Sequence, residues 1–82
     1  MNKRQLTKRE FHKIVGDNIK RERNKRCWTQ LQFGEMLGVS SVSVHFYENG
    51  YGIPLFAAAK CAELFEISLE NLLAYKSNVN DE

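Results

Sequence analysis

A glycine set between two short segments of helical pattern constrains the fold of this chain more than any other feature. Apolar residues recur at helical spacing over residues 30–37, and Gly38 ends that segment. Ser40 can cap a second helix over residues 41–48. The chain must turn within about four residues, which a β-carbon would hinder if the backbone angle φ at Gly38 is positive. We therefore expect two short helices joined by a sharp turn.

Further signals place helices along the rest of the chain. Thr7 followed by Glu10, and Thr29 followed by Gln32, have the form of capping boxes, in which two side chains satisfy backbone groups at a helix start. Gly50 can end a helix because it tolerates left-handed backbone angles. No alternation of strand type is present. We predict an all-α domain of five helices, over residues 8–26, 30–37, 41–48, 55–65 and 69–74.

Charge is divided unevenly along the chain. Residues 1–26 hold ten basic and three acidic residues, whereas residues 27–82 hold two basic and seven acidic ones. No lysine or arginine occurs from position 27 to position 59. Cations that attract a polyanionic partner must therefore come mainly from the first helix and the residues before it.

Size and composition exclude several classes of protein. The 82 residues form one domain, which buries about 60–65% of its unfolded surface, too little for a large enclosed substrate cavity. No nucleophile with a base and no glycine-rich phosphate loop can be assembled, so we expect no enzyme activity, no cofactor and no small-molecule substrate. No apolar run approaches the roughly 20 residues of a membrane span, and the start MNKRQLTKREF lacks the apolar stretch of a secretory signal. A cytoplasmic protein is the expectation.

Neither the cysteines nor the histidines form a metal-binding pattern. We expect Cys27 and Cys61 to be small buried residues in a reducing compartment. His45 has only His12 as a second histidine, on a different predicted helix, so no metal is expected. Contact between His45 and a phosphate, strengthened when the ring is charged, is the alternative role.

The run TQLQFGEMLGVSSVSVHFYENG, residues 29–50, resembles the Cro/C1-type helix-turn-helix domain of phage repressors and many bacterial regulators. The similarity covers roughly residues 14–73 and ends in ISLENLL, which is similar to the family's closing VSLDELL. The resemblance implies a compact lambda-repressor-like domain over residues 14–74. A basic extension, 1–13, would be continuous with the first helix, and residues 75–82 would form a flexible tail. The function implied is that of a sequence-specific transcriptional regulator, a phage or bacterial repressor, which binds double-stranded DNA as a homodimer.

The third predicted helix has one candidate reading face. Helical spacing directs Val44 and Tyr47 toward the core. The opposite face contains Ser41, Val42, His45 and Phe46. The resemblance implies that this face reads base edges.

The apolar pair on this face has two interpretations. Val42 and Phe46, one helical turn apart, could pack on thymine methyl groups. Alternatively, they mark a protein interface, which is the usual meaning of an exposed apolar patch. The chain would then be a helix-turn-helix scaffold for protein contacts, such as an anti-repressor or an assembly partner, with weak or no DNA binding.

Contacts with the DNA backbone need donors from several places. Family members usually carry lysine or arginine in the loop after Gly50, where this chain has none. Uncharged donors and the basic start of the chain are therefore the candidates. These are Gln30, Ser43, Asn49, Lys3, Arg4, Lys8 and Arg9.

The resemblance also implies structural roles for a few residues. Arg23 and Glu48 correspond to positions that often form a partly buried ion pair in similar domains, although Arg23 could instead be one more solvated charge in a basic run. Gly38 and Gly50 would end the second and third helices. Cys27 stands where glycine is common at the end of the first helix.

Overall fold

The described part of the chain folds into five α-helices and contains no strand. The computed structural model describes residues 6–74, so Lys3, Arg4 and the predicted tail, 75–82, lie outside the described residues. The helices are α1 (Lys8–Lys25), α2 (Gln30–Leu37), α3 (Ser41–Glu48), α4 (Leu55–Phe65) and α5 (Leu69–Leu73). The predicted all-α, five-helix fold is confirmed, with α1 and α5 each ending one residue earlier than expected. Because α1 begins at Lys8, the later part of the basic extension, residues 8–13, belongs to this helix.

Local side-chain chemistry starts α1 and α2 where the sequence predicts. The Thr7 hydroxyl accepts a hydrogen bond from the amide of Glu10, and the Glu10 carboxylate accepts one from the amide of Thr7, both at 3.0 Å. Thr29 and Gln32 make the same exchange at 3.0 and 2.9 Å. These bonds satisfy backbone amides that have no partner inside a helix. Residues within a single turn therefore determine both starts.

The helices α1 to α4 all end in one hydrogen-bonding pattern. A residue just past each helix has a positive φ, and the amide of the next residue donates to a carbonyl five positions back. The residues of positive φ are Cys27, Gly38, Gly50 and Glu66. The amide donors that follow them are Trp28, Val39, Tyr51 and Ile67. Glycine adopts this conformation without strain, whereas a residue with a β-carbon does not.

The expectation that both cysteines are buried is wrong for Cys27. Its φ is 59°, and its side chain is exposed at the end of α1. Cys27 is thus exposed because it occupies the turn just past the end of α1. Cys61 is buried as expected, and burial, together with the nearby charge of Glu48, raises the pKa of its thiol to about 12. The Cys61 thiol is therefore neutral near pH 7.

A single hydrophobic core joins the helices. Its largest members are Phe33 of α2 and Phe65 of α4, which stack with ring centroids 5.0 Å apart. Trp28, in the link between α1 and α2, stacks on both at 5.8 and 6.1 Å and is half-buried. The rings of Trp28, Phe33 and Phe65 therefore pack as one aromatic part of the core. The other buried members are Val15, Ile19, Leu37, Val44, Ala58, Cys61, Ala62 and Leu72.

Two polar side chains, that of Asn18 in α1 and that of Arg26 just past the end of α1, bond to the helices that follow. The amide nitrogen of Asn18, a buried residue, donates to the carbonyls of Leu72 and Ala74 at 2.7 and 3.0 Å, which fixes the end of α5. Arg26 donates to the carbonyl of Phe65 at 2.6 Å, and its guanidinium carbon lies 4.9 Å from the centroid of the Phe65 ring. The end of α5 thus bonds to α1, and the end of α4 bonds to the residue that follows α1. Among residues 6–74, no helix has the length and apolar character needed to cross a membrane.

Candidate nucleic-acid interface

The turn between α2 and α3 depends on two glycines for different reasons. Gly38 has a φ of 81°, the positive value that the sequence predicts, and a β-carbon there would meet no atom within 4 Å. Glycine is therefore required at position 38 for its backbone conformation and not for lack of space. Gly34, inside α2, lies so close to the turn that a β-carbon would stand 2.7 Å from the carbonyl oxygen of Val39. The chain can turn this tightly against α2 only because residue 34 has no side chain.

A buried ion pair anchors α3 to α1. The Arg23 Nε lies 2.6 Å from Oε2 of Glu48, and Nη2 lies 3.0 Å from Oε1, so the guanidinium holds both carboxylate oxygens. The two side chains are only 10% and 1% exposed. Arg23 also donates through Nη1 to the carbonyl of Trp28 at 2.7 Å. The pair implied by the resemblance is formed, and Arg23 is not a solvated charge.

Gln30 belongs to the same network. Its amide nitrogen donates to Oε1 of Glu48 at 3.1 Å, which links the first residue of α2 to the end of α3. Gln30 was predicted to contact the DNA backbone, and its half-buried side chain also serves the scaffold. Glu48 therefore accepts hydrogen bonds from α1 and from α2, which fixes the orientation of α3 relative to both.

These contacts fix one side of α3, and the opposite side of the helix is exposed to solvent. Val44 is fully buried and Tyr47 is half-buried against the core, as the spacing predicts. Val42 is 59% exposed and Phe46 is 46% exposed, and both leave the same side of the helix. His45 is exposed and Ser41 is half-buried. The predicted face is therefore brought together as one surface, which we call the α3 face: Ser41, Val42, His45 and Phe46.

Aromatic rings flank Phe46 on the α3 face. The ring of Tyr51 meets that of Phe46 edge to face, with centroids 5.2 Å apart and planes at 76°. The ring of His45 also lies beside that of Phe46, with centroids 5.9 Å apart and planes at 56°. Tyr51 is outside the predicted set of site residues. Its place after Gly50 gave no sequence signal of this contact beyond the turn itself.

Two of the uncharged candidates for backbone contacts, Ser43 and Asn49, lie near the two ends of α3. The half-buried Ser43 accepts a hydrogen bond from the Ser40 hydroxyl at 3.3 Å. Ser40 is exposed and caps α3 by accepting from the amide of Ser43 at 3.1 Å, and the sequence analysis did not include it as a site residue. At the other end, Asn49 donates to the carbonyl of His45 at 2.7 Å. A ligand contact by Asn49 or Ser43 would therefore add to, or replace, a bond within the helix.

Two basic side chains of α1 lie near the end of α3. Arg9, Glu10 and Lys13 of α1 line an open groove that is also lined by Asn49, Gly50 and Tyr51. The contact is close, since a β-carbon on Gly50 would lie 3.3 Å from the α-carbon of Lys13. Lys13 pairs with Asp17 at 2.9 Å in an exposed ion pair, which contributes little to stability. The loop after α3 therefore has two cations and one carboxylate, that of Glu10, beside it, although it contains no cation itself. Lys8 is exposed in the first turn of the same helix.

No metal centre is apparent in the described residues. Within positions 6–74, no group of three or more histidine, cysteine, aspartate or glutamate side chains is arranged to hold a metal ion. The two histidines lie in different helices, His12 in α1 and His45 in α3.

Comparison with known proteins identifies the arrangement. A family model described as helix-turn-helix matches residues 19–72. Among solved structures, the SOS-response transcriptional repressor LexA from Eubacterium rectale has a TM-score of 0.80 and 24% identity, and the match covers 94% of this chain and 83% of that one. The P22 c2 repressor protein, solved in complex with the synthetic operator 9T, has a TM-score of 0.71 and 23% identity, and the match covers 77% of this chain and 97% of that one.

The same fold also occurs within an enzyme. Hydroxypropylphosphonic acid epoxidase from S. wedmorenis matches with a TM-score of 0.73 and 21% identity over 92% of this chain, which covers only 40% of the epoxidase. No protein with curated annotation matches the sequence. At these identities the structural likeness shows the fold alone.

Proposed function

The chain belongs to the Cro/C1-type helix-turn-helix family, and we propose that it is a sequence-specific regulator of transcription that binds double-stranded DNA with α3 in the major groove. One observation carries the proposal. The buried Arg23–Glu48 pair fixes one side of α3, while Val42 and Phe46 on the other side stay exposed. A rigid helix with a free face is what insertion into a groove about 12 Å wide requires. The proposal assigns the chain no enzyme activity, cofactor or small-molecule substrate.

The reading surface and its support have separate roles. Base edges are contacted by the α3 face, Ser41, Val42, His45 and Phe46. Phosphates are contacted by uncharged donors near the ends of α2 and α3, namely Gln30, Ser43 and Asn49, and by cations of α1. Arg9 and Lys13 support this assignment because they line the same groove as the loop 49–51. Lys8 adds to the same positive end. Lys3 and Arg4, which lie outside the described residues, are assigned phosphate contacts on the basis of the sequence alone.

The protein acts as a cytoplasmic repressor in the form of a homodimer, with half-sites about one helical turn, ~34 Å, apart. A domain of this size makes few contacts with one half-site, so a second copy raises both affinity and specificity. The start of α4 supports self-association, since Leu55 and Phe56 are both highly exposed there and are not part of the α3 face. A contiguous exposed apolar pair of this kind marks a surface for protein contact.

A protein-binding scaffold is the second candidate function. Two observations favour it. The apolar side chains Val42, Phe46 and Tyr51 are exposed side by side on or beside α3. No lysine or arginine occurs from position 27 to position 59, which includes all of α2 and α3. In this second function, the α3 face would contact a protein, as in an anti-repressor, and DNA would bind weakly or not at all.

Selection from a random duplex pool tests the proposal. We expect the intact protein to enrich paired half-sites about one helical turn apart and to bind the enriched duplex more tightly than a scrambled one at about 50 mM and about 200 mM salt. Enrichment of no sequence, or equal affinity for the enriched and scrambled duplexes, would overturn it. If Phe46→Ala then disrupted a complex of the protein with itself or with another protein, the scaffold function would replace the proposed DNA-binding function.

A further inference from the structure

We infer that Tyr51 is a positioning residue for base recognition: its ring holds Phe46 in the orientation in which α3 contacts the 5-methyl group of a thymine. The inference rests on the proposed function, because it concerns how the α3 face reads DNA. Its basis is the place that Tyr51 occupies among the four equivalent helix ends of this fold.

Backbone hydrogen bonds at the end of α3 place Tyr51 next to Phe46. The amides of Asn49 and Tyr51 both donate to the carbonyl of Phe46, each at 3.2 Å, and close the end of α3. Gly50, with a φ of 85°, lies between the two donors. This arrangement commonly brings the residue after the left-handed position into contact with the residue five positions earlier. Helix capping thus explains how the two rings come to meet at 5.2 Å.

The other three helix ends use the same position differently. At the ends of α1, α2 and α4, the equivalent residues are Trp28, Val39 and Ile67, and all three pack against the hydrophobic core. At the end of α3, Tyr51 packs on Phe46 of the α3 face and remains 74% exposed. Phe46 likewise remains 46% exposed after the contact. The contact between Tyr51 and Phe46 therefore buries little of either residue, and both stay exposed at the surface that the proposed function assigns to DNA.

The chemistry of Phe46 defines the base it can read. A phenyl ring has no hydrogen-bonding group, so the feature it can select in the major groove is the methyl group of thymine. A single exposed phenylalanine would lose side-chain freedom on binding and discriminate weakly. The rings of Tyr51 and His45 both lie against that of Phe46 and restrict its side chain before DNA binds. Edge-to-face contact between rings stabilises such an arrangement.

Replacing thymine by deoxyuridine removes only the methyl group and therefore measures this contact directly. Each thymine of the duplex enriched by the wild-type protein is replaced in turn, and the ratio of the dissociation constants for uracil and thymine is determined. We expect one position at which the wild-type protein loses about fourfold in affinity, the value of one buried methyl group. Phe46→Ala should reduce this ratio to one at the same position.

Variants of Tyr51 then separate positioning from capping. Tyr51→Phe keeps the ring and should keep the wild-type ratio. Tyr51→Ala should bring the ratio below about twofold and weaken binding of the thymine duplex by about three- to tenfold. The ratio cancels effects on dimerisation or on phosphate contacts, which are common to both duplexes. A melting curve of each variant accompanies the titrations.

The outcomes are distinct. A ratio lost in Tyr51→Ala and kept in Tyr51→Phe supports the inference. A ratio unchanged in Tyr51→Ala, even if that variant melts at a lower temperature, means that Tyr51 only caps α3 and overturns the inference while the proposed function stands. If the wild-type protein shows no preference for any duplex, the proposed function itself fails and the inference fails with it.

Discussion

The guanidinium of Arg23 holds both carboxylate oxygens of Glu48, at 2.6 and 3.0 Å, across the contact between α1 and α3. The carboxylate side chain is 1% exposed, so water cannot replace either partner. Gln30 adds a third donor from α2. The orientation of α3 therefore depends on one buried carboxylate that three helices share.

Removing one partner of this pair should be more damaging than removing both. We expect Arg23→Met to destabilise the fold by about 3–5 kcal/mol, because Glu48 is left buried and charged without its main partner. The double variant Arg23→Met/Glu48→Leu should be more stable than the single one, since no unpaired charge remains. Urea denaturation of the three proteins checks this order. A loss below about 1 kcal/mol for Arg23→Met would mean that the pair behaves as an exposed one.

Glycine at position 27 should stabilise the protein. Cys27 has a φ of 59° although its side chain is exposed and is not part of the core. Cys27→Gly removes the β-carbon that strains this conformation, and we expect a gain of about 1 kcal/mol in the free energy of unfolding. Cys27→Ala is the matched control, since it removes the thiol and keeps the β-carbon. Equal effects of the two substitutions on the melting temperature would show that the thiol, and not the backbone, decides stability here.

Features that depend on one turn of chain could be predicted from the sequence. The capping boxes at Thr7 and Thr29, and the positive φ at Gly38, follow from side chains that act on backbone groups a few residues away. The solvent-facing side of α3 followed from its spacing alone. The Arg23–Glu48 pair was implied by the resemblance, although its members are 25 positions apart.

Features that need two distant segments to meet could not be predicted in this way. Asn18 bonds with carbonyls 54 and 56 positions away, which no local pattern indicates. The need for glycine at position 34 arises only when the carbonyl of Val39 is brought over α2. The prediction that Cys27 is buried was wrong because it relied on the usual burial of free cysteines, whereas this cysteine lies in the turn that ends α1.

Acid should weaken the contacts that the Glu22 carboxylate makes with Lys25 and Arg26. Burial acts to raise the pKa of Glu22, but hydrogen bonds from Arg26 and Lys25 outweigh it and hold the pKa below the ordinary value of 4.5. The stability that this carboxylate contributes is therefore present above pH 4.5 and is lost as the pH falls through the pKa of the folded state. We expect Glu22→Gln to be less stable than the wild-type protein at about pH 7, and the difference to narrow at about pH 3.

Urea titrations at both pH values check the prediction for Glu22. Glu63→Gln, at an exposed carboxylate of α4 for which no ion pair occurs in the described part of the chain, should change stability little. A Glu22→Gln deficit of the same size at both pH values would contradict the assignment of the ionised carboxylate.

The cations of α1 should act on all DNA sequences alike. If Arg9 neutralises a phosphate beside the loop 49–51, Arg9→Gln should weaken binding of enriched and random duplexes equally and make the salt dependence shallower by about 0.9 in log–log slope. The wild-type slope itself should correspond to only a few phosphates per monomer, because α2 and α3 contain no lysine or arginine.

Lys60→Gln is the matched control for Arg9→Gln, since it removes one positive charge from α4 and leaves the groove beside α1 unchanged. We expect it to leave the salt slope at the wild-type value. An equal change in slope for both variants would attribute the effect to net charge rather than to a phosphate site on α1.

The reading role of α3 is the central claim, and anisotropy titration of Phe46→Ala against the wild-type protein tests it most directly. On the duplex enriched by the wild-type protein, the substitution should weaken binding by about 1–3 kcal/mol, with little change on random duplex, because base contacts carry sequence information and phosphate contacts do not. Since the Phe46 side chain is 46% exposed, the melting temperature should change little. Equal affinity of the two proteins for the enriched duplex would contradict the claim that α3 reads DNA through this residue.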